Sequence, residues 1–390
     1  MEELSVSELI KSFVEVRQST IEICRPLVTE DYVVQPIPQV SPPKWHLAHT
    51  TWFFEEMILV PFLDNYKRFN KNFNLLFNSY YKAAGKHWLQ AERGQLSRPT
   101  VSEIKNYRQY VEDFIEKLLN MGTQNEKVLF LLELGIHHEQ QHQELLLMDI
   151  KYILGTNIEL PTYRETELAK ASKLKVEWFS IDEGVYEIGH KDKGFSYDNE
   201  LPCHKSYLQK SEIRTGLITN GEYLEFIESR GYEKAELWLS LGWDWVNDND
   251  VKAPLYWIRK EEKYFEFTLN GLRELDLNAP VAHISYFEAD AFSRWSGHRL
   301  PTEQELEIFE SKSQIKGELW CWTSSHYSPY PGFKNFEGAI GEYNGKFMCN
   351  QFVLRGGCSA TPKNHYRETY RNFYPPHERW MFSGIRIARN

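Results

Sequence analysis

Two kinds of hydrophobic patterning divide this chain. Up to about residue 153, apolar positions recur at helical spacing. Leu9, Ile10, Phe13 and Ile21 form one stripe, preceded by Ser5 and Glu8 in the arrangement of a capping box. Ser41 followed by Pro42 opens a second helix, SPPKWHLAHTTWFFEEMIL, because a first-turn proline costs no hydrogen bond. Thr100 and Glu103 box a third, with Ile104, Tyr107, Val111 and Phe114 on its inner stripe. Thr123 and Glu126 box a fourth, which runs on through HHEQQHQELLLMDIKY at residues 137–152. Four helices of this length predict a bundle. The connection over 62–99, with FNSYYKAAGKHW and AERGQLSRP, is long, and long ordered connections often carry function.

Residues 154–174, GTNIELPTYRETELAKASKLK, read as a linker, and the pattern changes after it. Strand-like pieces such as VEWFSI and FVLRGGCSA alternate with Gly, Asn, Asp and Pro. TNGEYLEFIESRG and SYFEADAFSRWSG read as two short capped helices. The expected architecture is multidomain, α then α+β: a helical bundle over 1–153, the linker, and a loop-rich α+β domain over 175–390.

Composition narrows the function classes. A chain of 390 residues accommodates two or three domains, and 42% hydrophobic with 26% charged residues is ordinary for a globular protein. The 15% aromatic content is high and suits packed irregular regions and pocket walls. A net charge of −10 without a long basic run argues against nucleic acid as a partner. The longest apolar run, VLFLLELGI, is short and broken by Glu133, so no membrane span is expected. The five cysteines are scattered without a CxxC, and the N-terminus is acidic and amphipathic rather than signal-like. A reducing cytoplasm is the expected compartment. No sequence signal sets an oligomeric state.

The chemistry concentrates in the fourth helix. At about 100° per residue, His138 and His142 lie within about 40° of each other, one turn apart, while His137 points elsewhere. Leu131, Leu145 and Asp149 share their side. An H-x-x-x-H pair facing inward can grip one metal ion with two imidazole nitrogens. The second helix offers His46 and His49 as further donors, of which His46 reads as a packing or surface residue. Asp149 and Glu139 are candidate acceptors that would fix a histidine tautomer. Imidazole suits both zinc and iron, so spacing does not choose the metal.

SPPKWHLAHTTWFFEE followed by HHEQQHQELLLMDIKY resembles the DinB-like helical domain of ergothioneine-pathway sulfoxide synthases. NGEYLEFIESRGY, PVAHISYFEADAFSRWSGHRLPTEQELE, WCWTSSHYSPYPGF, LRGGCSA and YRNFYPPHERWMFSGIRIAR resemble the formylglycine-generating-enzyme (sulfatase-modifying factor) fold, which is C-type-lectin-like. The resemblance implies a non-haem Fe(II) held by His49, His138 and His142. It implies O2-dependent joining of a thiol sulfur to carbon 2 of the imidazole of hercynine (histidine trimethylbetaine), with release as a sulfoxide. Gln141 would hydrogen-bond the substrate imidazole, and Asn372 and Phe373 would receive its trimethylammonium end. Tyr80 and Tyr81 match tyrosines that face the metal in one branch of the family. A phenol there would give a proton to reduced dioxygen and steer the outcome away from thiol dioxygenation. Arg93 and Arg98 are candidate partners of a substrate carboxylate.

Two departures shape the expected substrate. Some family members carry Asp, associated with γ-glutamylcysteine, where this chain has Tyr374; this leans the expected thiol donor toward cysteine, with γ-glutamylcysteine kept as the alternative. Formylglycine-generating enzymes use paired cysteines near the C-terminus, and here only Cys358 stands in RGGC. Cys321, Cys349 and Cys358 read as small buried hydrophobes. Three alternatives stay in view: an ovothiol-type synthase acting on histidine itself, a DinB-like metal-dependent thiol transferase or hydrolase, and a non-catalytic binding module. The typical long form of the first adds a methyltransferase domain, and no Gly-rich nucleotide-binding region is visible in these 390 residues; the second needs no large second domain; the third needs neither His138 nor His142.

Overall fold

Caps and buried stripes set the helical half. A computed structural model describes residues 5–79, 88–122, 125–166, 171, 176–313, 315, 317–336, 341 and 344–390. The first helix, Val6–Cys24, and the third, Val101–Asn120, start with the two predicted capping boxes, Ser5 with Glu8 and Thr100 with Glu103. The second, Pro43–Phe54, passes through a π-helical turn at Glu55–Leu59. There the buried Glu55 carboxylate accepts from the Tyr66 and Tyr107 hydroxyls at 2.8 and 2.7 Å. The fourth, Glu126–Gly155, departs from expectation at its start. Its cap is Asn125, whose side-chain oxygen accepts from the Lys127 and Val128 amides; Thr123 lies outside the described residues. The cap shift follows from reach, since an Asn side chain meets the amides two and three residues on.

The fourth helix is buried on three sides, which explains its mixed grammar. Toward the second helix, Gly135 allows close approach. A Cβ there would stand 2.5 Å from the Phe54 ring and 3.0 Å from that of Phe53, so any larger residue would push the two helices apart. Toward the first and third helices, the buried Glu139 accepts from Arg17 at 2.9 Å, Arg108 at 2.5 Å and Thr20 at 2.6 Å. Burial pushes this carboxyl up, but Arg108, Arg17 and Thr20 outweigh it and hold it at about 2. Toward the α+β half, His137, Gln140, Glu144 and Lys151 form one stripe at helical spacing. They meet His365 at 3.0 Å, Asn364 at 2.6 Å, Trp320 at 2.6 Å and His283 at 2.8 Å. Burial raises the Glu144 carboxyl, and the Thr361 and Trp320 donors pull against that rise.

The α+β half is assembled from small sheets. β1 (Trp178–Ile181) pairs antiparallel with β4 (Ser211–Arg214), and β4 with β12 (Ala388–Arg389). β2 (Gly184–Ile188) and β3 (His204–Leu208) form a hairpin; β5 (Trp257–Lys260), β6 (Lys263–Thr268) and β7 (Gly271–Glu274) form a meander. The fourth sheet runs β10–β9–β8–β11, with β8 at Trp320–His326, β9 at Phe352–Arg355, β10 at Asn372–Tyr374 and β11 at Ser383–Gly384. The predicted helices appear at Asn220–Glu228 and Tyr286–Trp295, each with a capping box.

Two more helices depart from the sequence reading, Ser240–Asp248 and Glu303–Ser313. The first is short, Gly- and Asp-containing and lacks a side-chain cap. The second buries Glu303, Glu305, Glu307 and Glu310, which read as solvent-facing in a sequence. Tyr163 fastens the join between the halves: its amide donates to the Leu269 carbonyl and its hydroxyl to that of Ile23 at 2.6 Å. Among the described residues, no helix is long and apolar enough to cross a membrane.

Candidate metal centre

His138 and His142 project from the fourth helix, one turn after the close approach at Gly135, toward His49 on the second. The three offer ring nitrogens that all lie within 4.8 Å of one another. Their ring centroids are 4.6 to 5.0 Å apart. Trp45 stacks on His49 at 4.5 Å, and Phe53 lies against His138 at 4.9 Å, so aromatic walls fix the ring planes.

Burial keeps these imidazoles neutral. His138 is lowered to about 3 by burial. His49 and His142 are pushed well below the ordinary range by burial first, then by neighbouring imidazoles. Neutral rings are the form in which histidine ligates a metal. His49 Nδ1 stands 2.6 Å from the Phe77 carbonyl, which can only accept. Nδ1 therefore carries the proton and Nε2 keeps its lone pair. Convergent lone pairs on neutral rings, two of them buried and the His142 ring half-buried, fit a divalent cation.

A cavity of about 470 Å³ opens beside His142 between the two halves. Its helical wall includes Trp45, Arg93, Gln141, His142 and Asp149; its α+β wall includes Asn372, Phe373, Tyr374 and Trp380. Asn372 and Phe373 are carried on β10, where Phe373 stacks on Tyr327 at 4.0 Å. Tyr374 meets Trp380 edge-on at 5.3 Å. Arg93 is buried over the Trp45 ring and donates to the Ser41 and Ser79 hydroxyls at 2.7 and 2.8 Å. Arg98 stands apart: it is exposed, donates to the Ser97 carbonyl, and lines no part of this cavity. Tyr80 and Tyr81 lie outside the described residues; Ser79, which precedes them, is on the cavity wall.

Two expectations change. The Glu139 carboxylate is taken up by Arg17, Arg108 and Thr20 rather than by a histidine. Asp149, by contrast, does meet a histidine, His46 on the second helix, at 2.9 Å. His46, whose expected role was packing or surface, is buried, and its Nδ1 faces His142 Nδ1 at 2.9 Å. The available signal was its position three residues before His49, which puts both on one helical face.

Residues 163–310 and 312–390 match the sulfatase-modifying factor enzyme 1-like domain. The chain belongs to that family. Residues 12–146 match the DinB superfamily, so both halves carry the fold that their motifs predict. A hercynine oxygenase of Mycobacterium tuberculosis is 27% identical over 306 residues, covering 66% of this chain and 71% of that one. The hercynine oxygenase of Mycolicibacterium smegmatis is 28% identical over 323 residues, with the same coverage. Ergothioneine biosynthesis protein 1 of Schizosaccharomyces pombe is 24% identical over 269 residues, covering 58% of this chain and 32% of that protein.

Proposed function

We propose that the protein is a sulfoxide synthase of ergothioneine biosynthesis. It joins the sulfur of cysteine to carbon 2 of the hercynine imidazole at an iron(II) held by His49, His138 and His142. The observation that carries this reading is the convergence of three neutral imidazoles, two buried and His142 half-buried, at the edge of an inter-domain cavity. The relatives named hercynine oxygenase support the substrate and the reaction class. In the overall change, a C–H bond and an S–H bond give way to C–S and S–O bonds. Dioxygen takes up four electrons, leaving one oxygen atom on sulfur and the other in water. Bound among three neutral donors, Fe(II) supplies the redox chemistry that dioxygen needs and a common anchor for the two substrates.

The remaining work falls to the chain. Gln141, next to His142, is suited to hydrogen-bond the hercynine imidazole, and Phe373 and Asn372 to receive the trimethylammonium group through an aromatic face and an amide oxygen. Arg93 is the better of the two arginines for a substrate carboxylate, because it faces the cavity. Tyr374 gives the thiol end an aromatic wall without an acidic group, which favours cysteine over γ-glutamylcysteine. Tyr80 or Tyr81 supplies the proton that directs oxygen toward sulfoxide. Holding both substrates in one cleft turns their encounter into an intramolecular step.

Anaerobic loading with Fe(II), then addition of hercynine, either thiol and O2, tests the reading by mass spectrometry. A hercynine–cysteine adduct with one extra oxygen is expected, with cysteine preferred. Cysteine sulfinate alone, or no oxygen uptake, overturns it. Phe in place of Tyr80 or Tyr81 should divert product toward sulfinate.

A further inference from the structure

Behind His142 runs a chain of hydrogen bonds whose polarity is determined by its far end. Asp149 Oδ2 accepts from the Ser41 amide at 2.8 Å and faces His46 Nε2 at 2.9 Å. Its other oxygen accepts from the Trp380 indole N–H at 3.1 Å. A carboxylate that already takes up these two N–H groups has only acceptor capacity to offer the ring, so His46 Nε2 carries a proton. In a neutral ring His46 Nδ1 is then a lone pair. It faces His142 Nδ1 at 2.9 Å, so that nitrogen must be the protonated one. His142 is left with a single lone pair, on Nε2. That is the same tautomer the Phe77 carbonyl imposes on His49.

We propose that His46 and Asp149 are positioning residues for the metal centre, setting the tautomer and orientation of His142 through this relay. The proposal rests on the three-histidine reading above. A ligand histidine whose second N–H is accepted by a neighbour is a stronger and better-aimed donor, and loss of such a partner typically weakens metal binding about 10- to 100-fold. The relay also spans the molecule. Ser41 precedes the second helix, Asp149 lies on the fourth, and Trp380 belongs to the α+β half, so seating of the two halves is communicated to one ligand.

Two substitutions separate a hydrogen-bond role from a packing role. His46→Phe keeps a ring in the space but removes the acceptor. His46→Asn sacrifices the ring and returns an amide oxygen close to where Nδ1 stands. Both variants are followed by anaerobic Fe(II) titration and by the visible spectrum of the Co(II)-loaded protein, with thermal melting to establish that each is folded. The relay predicts that His46→Phe binds at least about tenfold more weakly with an altered Co(II) spectrum, and that His46→Asn stays near wild type. Wild-type affinity in His46→Phe, or equal loss in both folded variants, overturns the relay while leaving the three-histidine site standing. A wild-type chain that binds neither ion overturns both.

Discussion

Two of the polar clusters buried among the described residues, one in each half, are built on opposite principles. In the α+β half, Arg371 donates to Glu303 at 2.8 and 3.0 Å. Arg355 donates to Glu307 and to the Tyr330 hydroxyl, while Glu307 also accepts from the Gly189 amide. Cation answers anion, and the cluster holds the helix Glu303–Ser313 against β9 and the segment leading to β10. Around His49, His138 and His142 the groups are neutral. The outward nitrogens of His49 and His142 face the Phe77 carbonyl and His46, and their inward lone pairs face one another. Lone pairs cannot satisfy lone pairs. The first cluster answers its charges within the protein; the second presents the kind of donor set a cation takes.

The contrast is sharpest when one member of each cluster is removed. His138→Ala should abolish high-affinity Fe(II) binding and the sulfoxide product while the chain still folds, read by anaerobic titration, product analysis and melting. Arg355→Met should do the reverse. It strips a fully buried guanidinium from Glu307 and should cost about 3–5 kcal/mol in urea unfolding, with the Fe(II) affinity of the folded fraction unchanged. Severe unfolding in the first variant, or a large affinity change in the second, would erase the distinction.

Much of this contrast was legible in the sequence because it is local. The boxes at Ser5 and Thr100 and the H-x-x-x-H spacing depend on residues within one or two turns, and each appears as expected. What could not be read depends on partners far along the chain. Glu139 sits beside a candidate ligand, yet its role is set by Arg17 and Arg108, 122 and 31 residues away. His46 looked like a packing residue because Asp149 is 103 residues distant. Glu303–Ser313 carries so many acidic groups that only the buried arginines opposite make an interior helix of it. Arg93 and Arg98, five positions apart, read alike, but one turns into the cavity and the other to solvent.

The effect of burial on charge state can be compared across the two halves through Glu310. This carboxyl is fully buried near the charged cluster and accepts from the Tyr366 hydroxyl at 3.1 Å. Burial pushes it up to about 7 from an ordinary 4.5, against the pull of Arg355. The same desolvation keeps the three imidazoles uncharged, with opposite consequences for proton count: the histidines lose a proton and Glu310 keeps one. Between pH 4.5 and 7 the folded chain then holds a proton at Glu310 that the unfolded chain has released. Stability contributed by this group is fully present below about pH 4.5 and is lost as pH rises through about 7, on the order of 3 kcal/mol in total. Glu310→Gln, a neutral group of the same shape, should match wild type in urea unfolding at pH 5. It should exceed wild type at pH 8, and the Fe(II) affinity should be unaffected at both. If the two chains lose stability in parallel from pH 5 to pH 8, Glu310 is ionised in the fold, and burial is not what sets the charge state in this half.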